Sequence, residues 1–413
     1  MRKIISSIDI GSNEIKIVVC EFFDGNLNVL CAHSEETKGL KNGQVVKEEV
    51  FVSCVSKMLS DVSEKLGFKV KKLVANFPTS SNNFIVSEST NTITSENKTI
   101  TSNDILRIMQ SSVYNKVNIN EELIGVIPIY FRVDGEEYDD PFGKKGENLT
   151  AKTVLITAPK EEVYHWVTIL EKCGIDVVDI TTSGLVDYYN FKNDNLNDRT
   201  GIIVNIGNET TTISVFSKGM YINNEVLIMG GYFIDKDISF IYNFKRDDAR
   251  YLKEKLALAN IRRASPKETM RLANKDGEEI VVNQYELTEI VASRVDEILK
   301  LVKKSINHLT KKEISYIIIT GGLTELKDFP IALTSVFGES AKIGNINTIG
   351  IRSNKYSVAL GTIKYFNEKL RLRHKDYSTV SNAEAEAMCN VDKGTLIAGD
   401  SILGKVFGYF FDN

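Results

Sequence analysis

Two short segments, each built around a glycine, are the first places where this sequence could do chemistry. In residues 8–14 and 204–210 an apolar run leads into Gly11 or Gly207, and alternating residues follow. This pattern predicts a strand, a tight turn and a second strand. Such a turn presents backbone N–H groups, and glycine lets a phosphate approach them closely. One turn is common to many hairpins, but two copies predict two related halves that bind one polyphosphate in a cleft.

The residues of both turns are candidate phosphate ligands. They are Gly11, Ser12, Asn13 and Lys16 in the first turn and Gly207, Asn208, Glu209 and Thr210 in the second. The backbone supplies the donors, and Lys16 adds a point charge. A third element ends a predicted buried strand (314–320) with Gly321, Gly322 and Leu323. A flat base could lie there against bare backbone.

The elements that must position these residues alternate between strands and helices. β-branched residues favour strands at 4–10 and 201–206, whereas apolar periodicity favours helices at 51–66 and 285–309. This alternation predicts an α/β fold. A chain of 413 residues also has enough material for at least two lobes, each with its own core.

Composition and charge exclude several classes of function. The net charge of −4 gives no electrostatic basis for binding nucleic acid, and the five cysteines lack the close spacing of metal or redox motifs. The N-terminus lacks the length and cleavage site of a signal peptide. No apolar run approaches the ~18 residues of a membrane span. We therefore expect a protein that is kept inside the cell.

Two regions depart from the alternating pattern. Residues 82–158 are polar and strand-like, with a hairpin predicted at 91–101, and indicate an inserted subdomain. After a last helix at about 357–372, a polar stretch has little that could build a core and is expected to be a flexible linker.

The segment 401–413 is amphipathic. Its apolar side chains recur at a spacing that places them on one face of a helix, and they are Ile402, Leu403, Val406, Phe407, Phe410 and Phe411. The segment is too short to span a bilayer and suits the plane of the membrane interface. The alternative is that it docks on its own domain as a last core helix.

The three glycine segments resemble the phosphate 1, phosphate 2 and adenosine motifs of the actin, sugar kinase and heat-shock chaperone superfamily, in the same order. This resemblance implies an actin-like two-lobe fold, duplicated and ribonuclease H-like, with ATP and Mg²⁺ as cofactors. Residues 248–256 resemble the actin-like segment whose lysine and glutamate approach adenosine, here Lys253 and Glu254. Without the resemblance, an exposed charged helix is the alternative.

Within this superfamily the chain resembles the FtsA family over essentially its whole length. The matching segments are the early loop at 37–43, the motifs 133–135 and 140–143 of subdomain 1C, Gly230 and Gly231 with Asp237, and the helix at 290–298. The resemblance implies subdomain 1A at 1–82 and 159–197, an SHS2-like 1C at 83–158, 2A at 198–232 and 304–371, and 2B at 233–303. It also implies a linker at 372–399 and a membrane-targeting helix at 400–413.

Members of the FtsA family link the tubulin-like filament protein FtsZ to the inner face of the cytoplasmic membrane at the division septum. The resemblance implies the same role here, together with actin-like self-assembly and contacts with other divisome proteins. Subdomain 2B receives the FtsZ C-terminal tail, and the matching contact residues are Arg294 and Glu297. Their spacing puts both on one helix face, where a salt bridge between them is the alternative.

The second phosphate turn departs from the family pattern. Asn205 stands where the family has aspartate, and Asn208 and Glu209 replace two glycines. A neutral amide removes one charge from the Mg²⁺ site, which leaves Asp9 as the candidate for ordering Mg²⁺ through water, with Asn205 a weaker one. Backbone donors survive the change, so we expect nucleotide binding with slow turnover or none, and at most a weak ATPase.

Two other functions stay open. A small-molecule kinase of the same superfamily needs a catalytic carboxylate facing an open cleft, and Asn205 does not supply one. A platform protein of type IV pili resembling PilM shares the fold and the ATP site. PilM-like proteins use a partner's peptide for membrane contact, so the amphipathic tail argues against that role.

Overall fold

The computed structural model describes residues 2–41, 43–79 and 81–381. Contacts divide these residues into two compact units. Unit 1 comprises residues 2–190, 347–352 and 358–381, and unit 2 comprises Phe191–Ile346 and Ser353–Ser357. None of the helices in the described residues combines the length and the apolarity that crossing a bilayer requires.

Among the described residues, unit 1 contains a five-stranded main sheet, a four-stranded sheet and a small two-stranded sheet. Its strands are β1 (Lys3–Ile10), β2 (Glu14–Phe23), β3 (Asn26–Glu36), β4 (Leu40–Lys41), β5 (Gln44–Val45), β6 (Lys72–Asn76), β7 (Asn83–Thr92), β8 (Glu121–Val133), β9 (Glu136–Tyr138), β10 (Asn148–Pro159) and β11 (Asp176–Thr181). Its helices are α1 (Glu48–Leu66), α2 (Ser102–Val113), α3 (Lys160–Lys172), α4 (Ser183–Val186) and α5 (Tyr188–Phe191). The main sheet has the order β11-β6-β1-β2-β3. α1 covers one side of it because its apolar residues recur every three or four positions, and its buried stripe includes Phe51, Val55, Met58 and Val62.

The inserted subdomain lies within unit 1. Its sheet has the order β7-β10-β8-β9, and α2 packs on that sheet over a core that includes Ile105, Ile108 and Phe131. α2 begins with a capping box, in which Thr101 and Asp104 satisfy each other's backbone N–H groups. β7 pairs with β10, so the predicted hairpin at 91–101 is wrong.

Unit 2 is built around one five-stranded sheet. Its elements are α6 (Asp194–Asn197), β12 (Thr200–Ile206), β13 (Thr211–Ser217), β14 (Met220–Leu227), α7 (Gly231–Ile241), α8 (Arg246–Leu256), β15 (Thr269–Ala273), β16 (Glu279–Asn283), α9 (Gln284–Leu309), β17 (Tyr316–Thr320), α10 (Phe329–Phe337) and β18 (Ala341–Ile343). The sheet order is β14-β13-β12-β17-β18. α11 (Ser357–Leu372) follows and packs almost entirely with unit 1.

The main sheets of the two units repeat one topology. In each sheet, two antiparallel strands extend one side of the strand that leads into the glycine turn, β1 or β12, and two parallel strands extend the other side. The registers also correspond, since Asp9 pairs with Lys16 across the first hairpin and Asn205 pairs with Thr212 across the second. The internal duplication expected from the glycine segments is therefore present in the strands themselves.

Residues 373–381, which the sequence assigns to the start of a linker, pack on unit 1. Thr379 N–H donates to the Ile4 carbonyl at 2.8 Å, and Ser6 N–H donates to the Thr379 hydroxyl at 3.0 Å. His374 stacks on Phe142 of the inserted subdomain, with ring centroids 3.8 Å apart. We call residues 378–380 the β1 strap. The polar character of this stretch therefore reflects hydrogen bonding to β1.

Candidate functional site

The first glycine turn joins β1 to β2. Gly11 N–H donates to the Glu14 carbonyl at 3.1 Å and closes the turn. Thr37 holds the turn from outside, because its N–H donates to the Asn13 carbonyl and its hydroxyl donates to the Gly11 carbonyl, both at 2.8 Å. A Cβ on Gly11 would lie 2.7 Å from the Glu14 carbonyl oxygen, so this close turn requires glycine.

A buried ion pair lies beneath the first turn. Lys16 Nζ is 3.2 Å from Asp9 Oδ2, and the two side chains are only 12% and 10% exposed. Lys16 also donates to the Glu14 carbonyl at 3.3 Å. Burial raises the pKa of Asp9, although the Lys16 ammonium acts in the opposite direction. The predicted phosphate-binding lysine is thus held against the turn by a carboxylate.

The second glycine turn joins β12 to β13 and has the same closing bond. Gly207 N–H donates to the Thr210 carbonyl at 2.9 Å. The N-terminus of α7 supports the turn, because Gly231 N–H donates to the Gly207 carbonyl and Tyr232 N–H donates to the Asn208 carbonyl. These bonds satisfy two N–H groups of the first turn of the helix.

Three of the predicted glycine segments meet at the end of β12. A Cβ on Gly230 would lie 2.5 Å from the Asn208 carbonyl oxygen. Gly321 follows β17, has a φ of 95°, and would place a Cβ 2.5 Å from the Ile206 carbonyl oxygen. The backbones of Gly207, Gly230 and Gly321 therefore pack together within unit 2, with no room for side chains on the last two.

Asn205 lies beside this cluster. Its Nδ2 donates to the Ser357 hydroxyl at 3.5 Å, and its Oδ1 lies 2.6 Å from where a Cβ on Gly321 would be. On the parallel strand it pairs with Thr320, whereas Asp9 pairs with Asn76. Asp9 and Asn205 thus occupy equivalent positions in the two units, one charged and one neutral.

The predicted adenosine contacts behave differently from one another. Lys253 is buried on α8, and its Nζ is 2.6 Å from Asp235 Oδ1, while Arg250 Nε is 3.5 Å from the other oxygen of this fully buried carboxylate. The Lys253 ammonium also lies 3.5 Å from where a Cβ on Gly231 would be. Glu254, the next residue, is exposed. Lys253 therefore reaches the glycine cluster as half of an ion pair.

Sequence reasoning missed Asp235. Asp235 lies on α7 and Lys253 on α8, and no local spacing connects them. Leu323 is buried in the core of unit 2, so its side chain contributes packing. Gly322 differs from Gly321 because a Cβ there would meet nothing within 4 Å.

The residues predicted to bind a peptide form a charged row on α7 and α9. Arg294 binds Asp237 with two hydrogen bonds of 2.7 and 3.0 Å and also donates to Glu297. The hydrogen bond with Asp237, followed by the charges of Asp237 and Glu297, raises the pKa of Arg294. The salt bridge left open by the sequence is thus present. On the same face of α7 as Asp237, Phe240 is 86% exposed and Ile241 is 56% exposed.

The predicted membrane-contact residues lie outside the described residues. They are Ile402, Leu403, Val406, Phe407, Phe410 and Phe411.

Solved structures with similar folds define the class. The PilM–PilN type IV pilus biogenesis complex matches with a TM-score of 0.57 at 13% identity, covering 88% of this chain and 98% of the other. MreB5 of Spiroplasma citri bound to ADP matches with a TM-score of 0.54 at 11% identity, covering 91% and 99%. The chain has an actin-like fold, which confirms the predicted fold class.

Two family models fix the relationship more closely. The model for cell division protein FtsA matches residues 202–361, and the model for the SHS2 domain inserted in FtsA matches residues 82–157. Cell division protein FtsA of Bacillus subtilis is 26% identical over 373 residues, which is 89% of this chain and 84% of that protein. The chain belongs to the FtsA family and is an actin-like cell division protein.

Proposed function

We propose that this protein binds a nucleotide and attaches FtsZ filaments to the inner face of the cytoplasmic membrane at the division site. The observation that carries the proposal is the surface formed by Phe240 and Ile241 beside the Asp237–Arg294–Glu297 row. Exposed apolar side chains next to charged groups suit an amphipathic peptide, since the apolar residues supply burial and the charges supply register. The occupant is the C-terminal tail of FtsZ.

Nucleotide binding rests on the two glycine turns. The close backbone packing at Gly11, Gly230 and Gly321 fixes the path of the backbone at the turns, whose N–H groups are the candidate phosphate donors. The turns, with Lys16 in unit 1 and Lys253 in unit 2, would hold ATP, while Mg²⁺ would neutralise phosphate charge. The ADP bound to MreB5 of Spiroplasma citri is consistent with this assignment. The two turns lie in different units, and the expectation that they bind one nucleotide stays a prediction.

Slow turnover follows from the charges near the turns. Asp9 is the candidate for ordering Mg²⁺ through water, but it also binds Lys16, and its equivalent Asn205 carries no charge. Ordering an attacking water requires charged groups within hydrogen-bond reach. The nucleotide is therefore proposed to act on conformation and on actin-like self-assembly.

Membrane attachment is proposed for the amphipathic segment 401–413. Burying an aliphatic or aromatic side chain contributes roughly 1.5 to 3 kcal/mol, which the cost of ordering a short, glycine-containing helix largely offsets. One tail thus attaches reversibly, whereas a polymer of subunits binds tightly through avidity. Contacts with other divisome proteins are part of the same proposal.

A peptide-binding experiment tests the tether. A synthetic FtsZ tail peptide is titrated into the full chain, into Phe240→Asp and into Ile119→Asp. Ile119 is 83% exposed in unit 1 and serves as the matched control. Loss of an apolar anchor at an interface costs about 2 kcal/mol or more, so we expect Phe240→Asp to weaken binding at least about tenfold. Equal affinity of Phe240→Asp and the unsubstituted chain would contradict the proposed surface.

Vesicle pelleting tests the membrane contact separately. The full chain should pellet with anionic vesicles and carry FtsZ with it, and a chain ending at Gly399 should do neither. Pelleting of the shortened chain would assign membrane contact to another part of the molecule.

A further inference from the structure

One imidazole and two carboxylates lie together on the face of the main sheet of unit 1 that α1 covers. His33 and Glu35 are on β3, and Asp61 is on α1. His33 pairs with Ile17 across the strands, whereas Lys16 pairs with Ser34. Because side chains alternate along a strand, His33 and Glu35 point to the face opposite Lys16. The cluster is therefore separate from the glycine turn and from Asp9.

The donor atoms of the three residues are close to one another. One ligand atom from each lies within 4.8 Å of the others, and His33 Nε2 is 3.2 Å from Glu35 Oε1. The nitrogen is buried, yet no acceptor is aligned with it for a hydrogen bond. Among the described residues, the Asp61 carboxylate makes no hydrogen bond and no ion pair with any side chain. Buried polar groups are ordinarily hydrogen-bonded, so the unpartnered His33 Nε2 indicates a missing partner.

Charge and donor type indicate what would satisfy them. Two neighbouring carboxylates repel each other, and a divalent cation relieves that repulsion. A set of one imidazole nitrogen and two carboxylate oxygens is typical of zinc and its transition-metal neighbours, whereas Mg²⁺ and Ca²⁺ favour oxygen alone. We propose that His33, Glu35 and Asp61 bind a divalent transition-metal ion, best fitted by Zn²⁺, which fastens β3 to α1.

Lys65 competes with the metal. Its Nζ is 3.0 Å from His33 Nδ1, and an ammonium group can only donate, so Nδ1 accepts and the ring proton lies on Nε2. Metal binding at Nε2 requires that proton to move to Nδ1 through solvent, and Lys65 must then withdraw. Lys65 is exposed on a flexible stem and can do so. Removing its charge therefore favours the metal.

Calorimetry with Zn²⁺ on the nucleotide-free full chain tests the site. We expect one tight site, weakened at least about tenfold in Asp61→Asn and in His33→Gln, and tightened severalfold in Lys65→Gln. Glu64→Gln is the matched control for Asp61→Asn, because it also replaces a carboxylate of α1 with a neutral amide, at an exposed position. Mg²⁺ should give no comparable heat.

Unfolding curves without metal check that each variant folds, and Glu35→Gln provides a second ligand variant. Equal Zn²⁺ affinity in Asp61→Asn and Glu64→Gln would overturn the site. Weaker binding in Lys65→Gln would overturn the competition and with it the assigned geometry.

Discussion

The two glycine turns have the same backbone but different surroundings. Each is closed by the same N–H to carbonyl bond, from Gly11 to Glu14 and from Gly207 to Thr210. Under the first turn lies the Asp9–Lys16 ion pair, whereas the second is buttressed by the N-terminus of α7. If the turns bind a nucleotide as proposed, the unit 2 turn would hold phosphate through its backbone, whereas the unit 1 turn would add the charge of Lys16.

The strands that lead into the two turns also differ in their hydrogen-bond partners. β17 pairs with β12 over residues 201–205, whereas β6 pairs with β1 only over residues 7–9. In unit 1 the β1 strap supplies the missing hydrogen bonds at Ile4 and Ser6. A duplicated fold thus satisfies equivalent backbone groups by different means, because in unit 1 the chain that follows α11 returns to β1.

The largest effect is expected from Gly230→Ala. The new Cβ would meet the carbonyl oxygens of Asn208 and Gly207 at 2.5 and 2.6 Å, so the turn or α7 must move. Such overpacking costs about 1–3 kcal/mol, and we expect roughly hundredfold weaker nucleotide binding by calorimetry. Gly231→Ala is the neighbouring control, since its Cβ would meet no atom closer than the Lys253 ammonium at 3.5 Å. Equal losses in both variants would remove the backbone argument for the second turn.

Asn205→Asp gives unit 2 the same charge that Asp9 gives unit 1 at the equivalent strand position. The added carboxylate lowers affinity for nucleotide without metal, because it repels phosphate, and it provides a second group for Mg²⁺ and water. We expect about tenfold faster phosphate release with Mg²⁺. Asn208→Asp adds the same charge within the turn and should not accelerate release. An unchanged rate in Asn205→Asp would show that the neutral amide is not what limits turnover.

Thr379→Val tests the β1 strap. The Thr379 hydroxyl accepts from Ser6 N–H and is 5% exposed, so its removal leaves a buried donor without its partner. We expect a loss of about 1 kcal/mol in the free energy of unfolding, measured with denaturant. The exposed Thr92→Val should be neutral. A neutral Thr379→Val would place residues 378–380 in the linker after all.

The smallest effect is a change in pH dependence at Asp9. Its folded pKa is raised by burial, so the folded state binds this proton more tightly than the unfolded chain does. The contribution of Asp9 to stability is therefore present below its ordinary pKa and is lost as pH rises through the raised value. The difference in unfolding free energy between the unsubstituted chain and Asp9→Asn should fall as pH rises from about 4 to 7. A difference that grows with pH would refute the assignment.

The sequence predicted features that depend on residues close together in the chain, and it missed features that depend on residues far apart. The turns at Gly11 and Gly207 were predictable because glycine, β-branched runs and alternation all act within a dozen residues. The Asp235–Lys253 pair and the β1 strap depend on contacts across many residues, which no local pattern encodes. The hairpin predicted at 91–101 failed for the same reason, since β7 finds its partner in β10, beyond two intervening strands.

The spacing of Arg294 and Glu297 predicted that they share a helix face, and they do. The spacing did not predict Asp237, which binds Arg294 from another helix and turns a surface pair into a row of three charges. Phe240 and Ile241 share a face of α7 with Asp237, and the sequence did not show that they are exposed there.

Calorimetric titration of ADP with Mg²⁺ into the full chain tests the central claim most directly, compared with Gly11→Ala and Gly230→Ala. We predict one nucleotide per chain and weaker binding in both variants, because each new Cβ crowds a carbonyl oxygen of its turn. No uptake, two nucleotides per chain, or full affinity in either variant would contradict the claim that both turns bind one nucleotide.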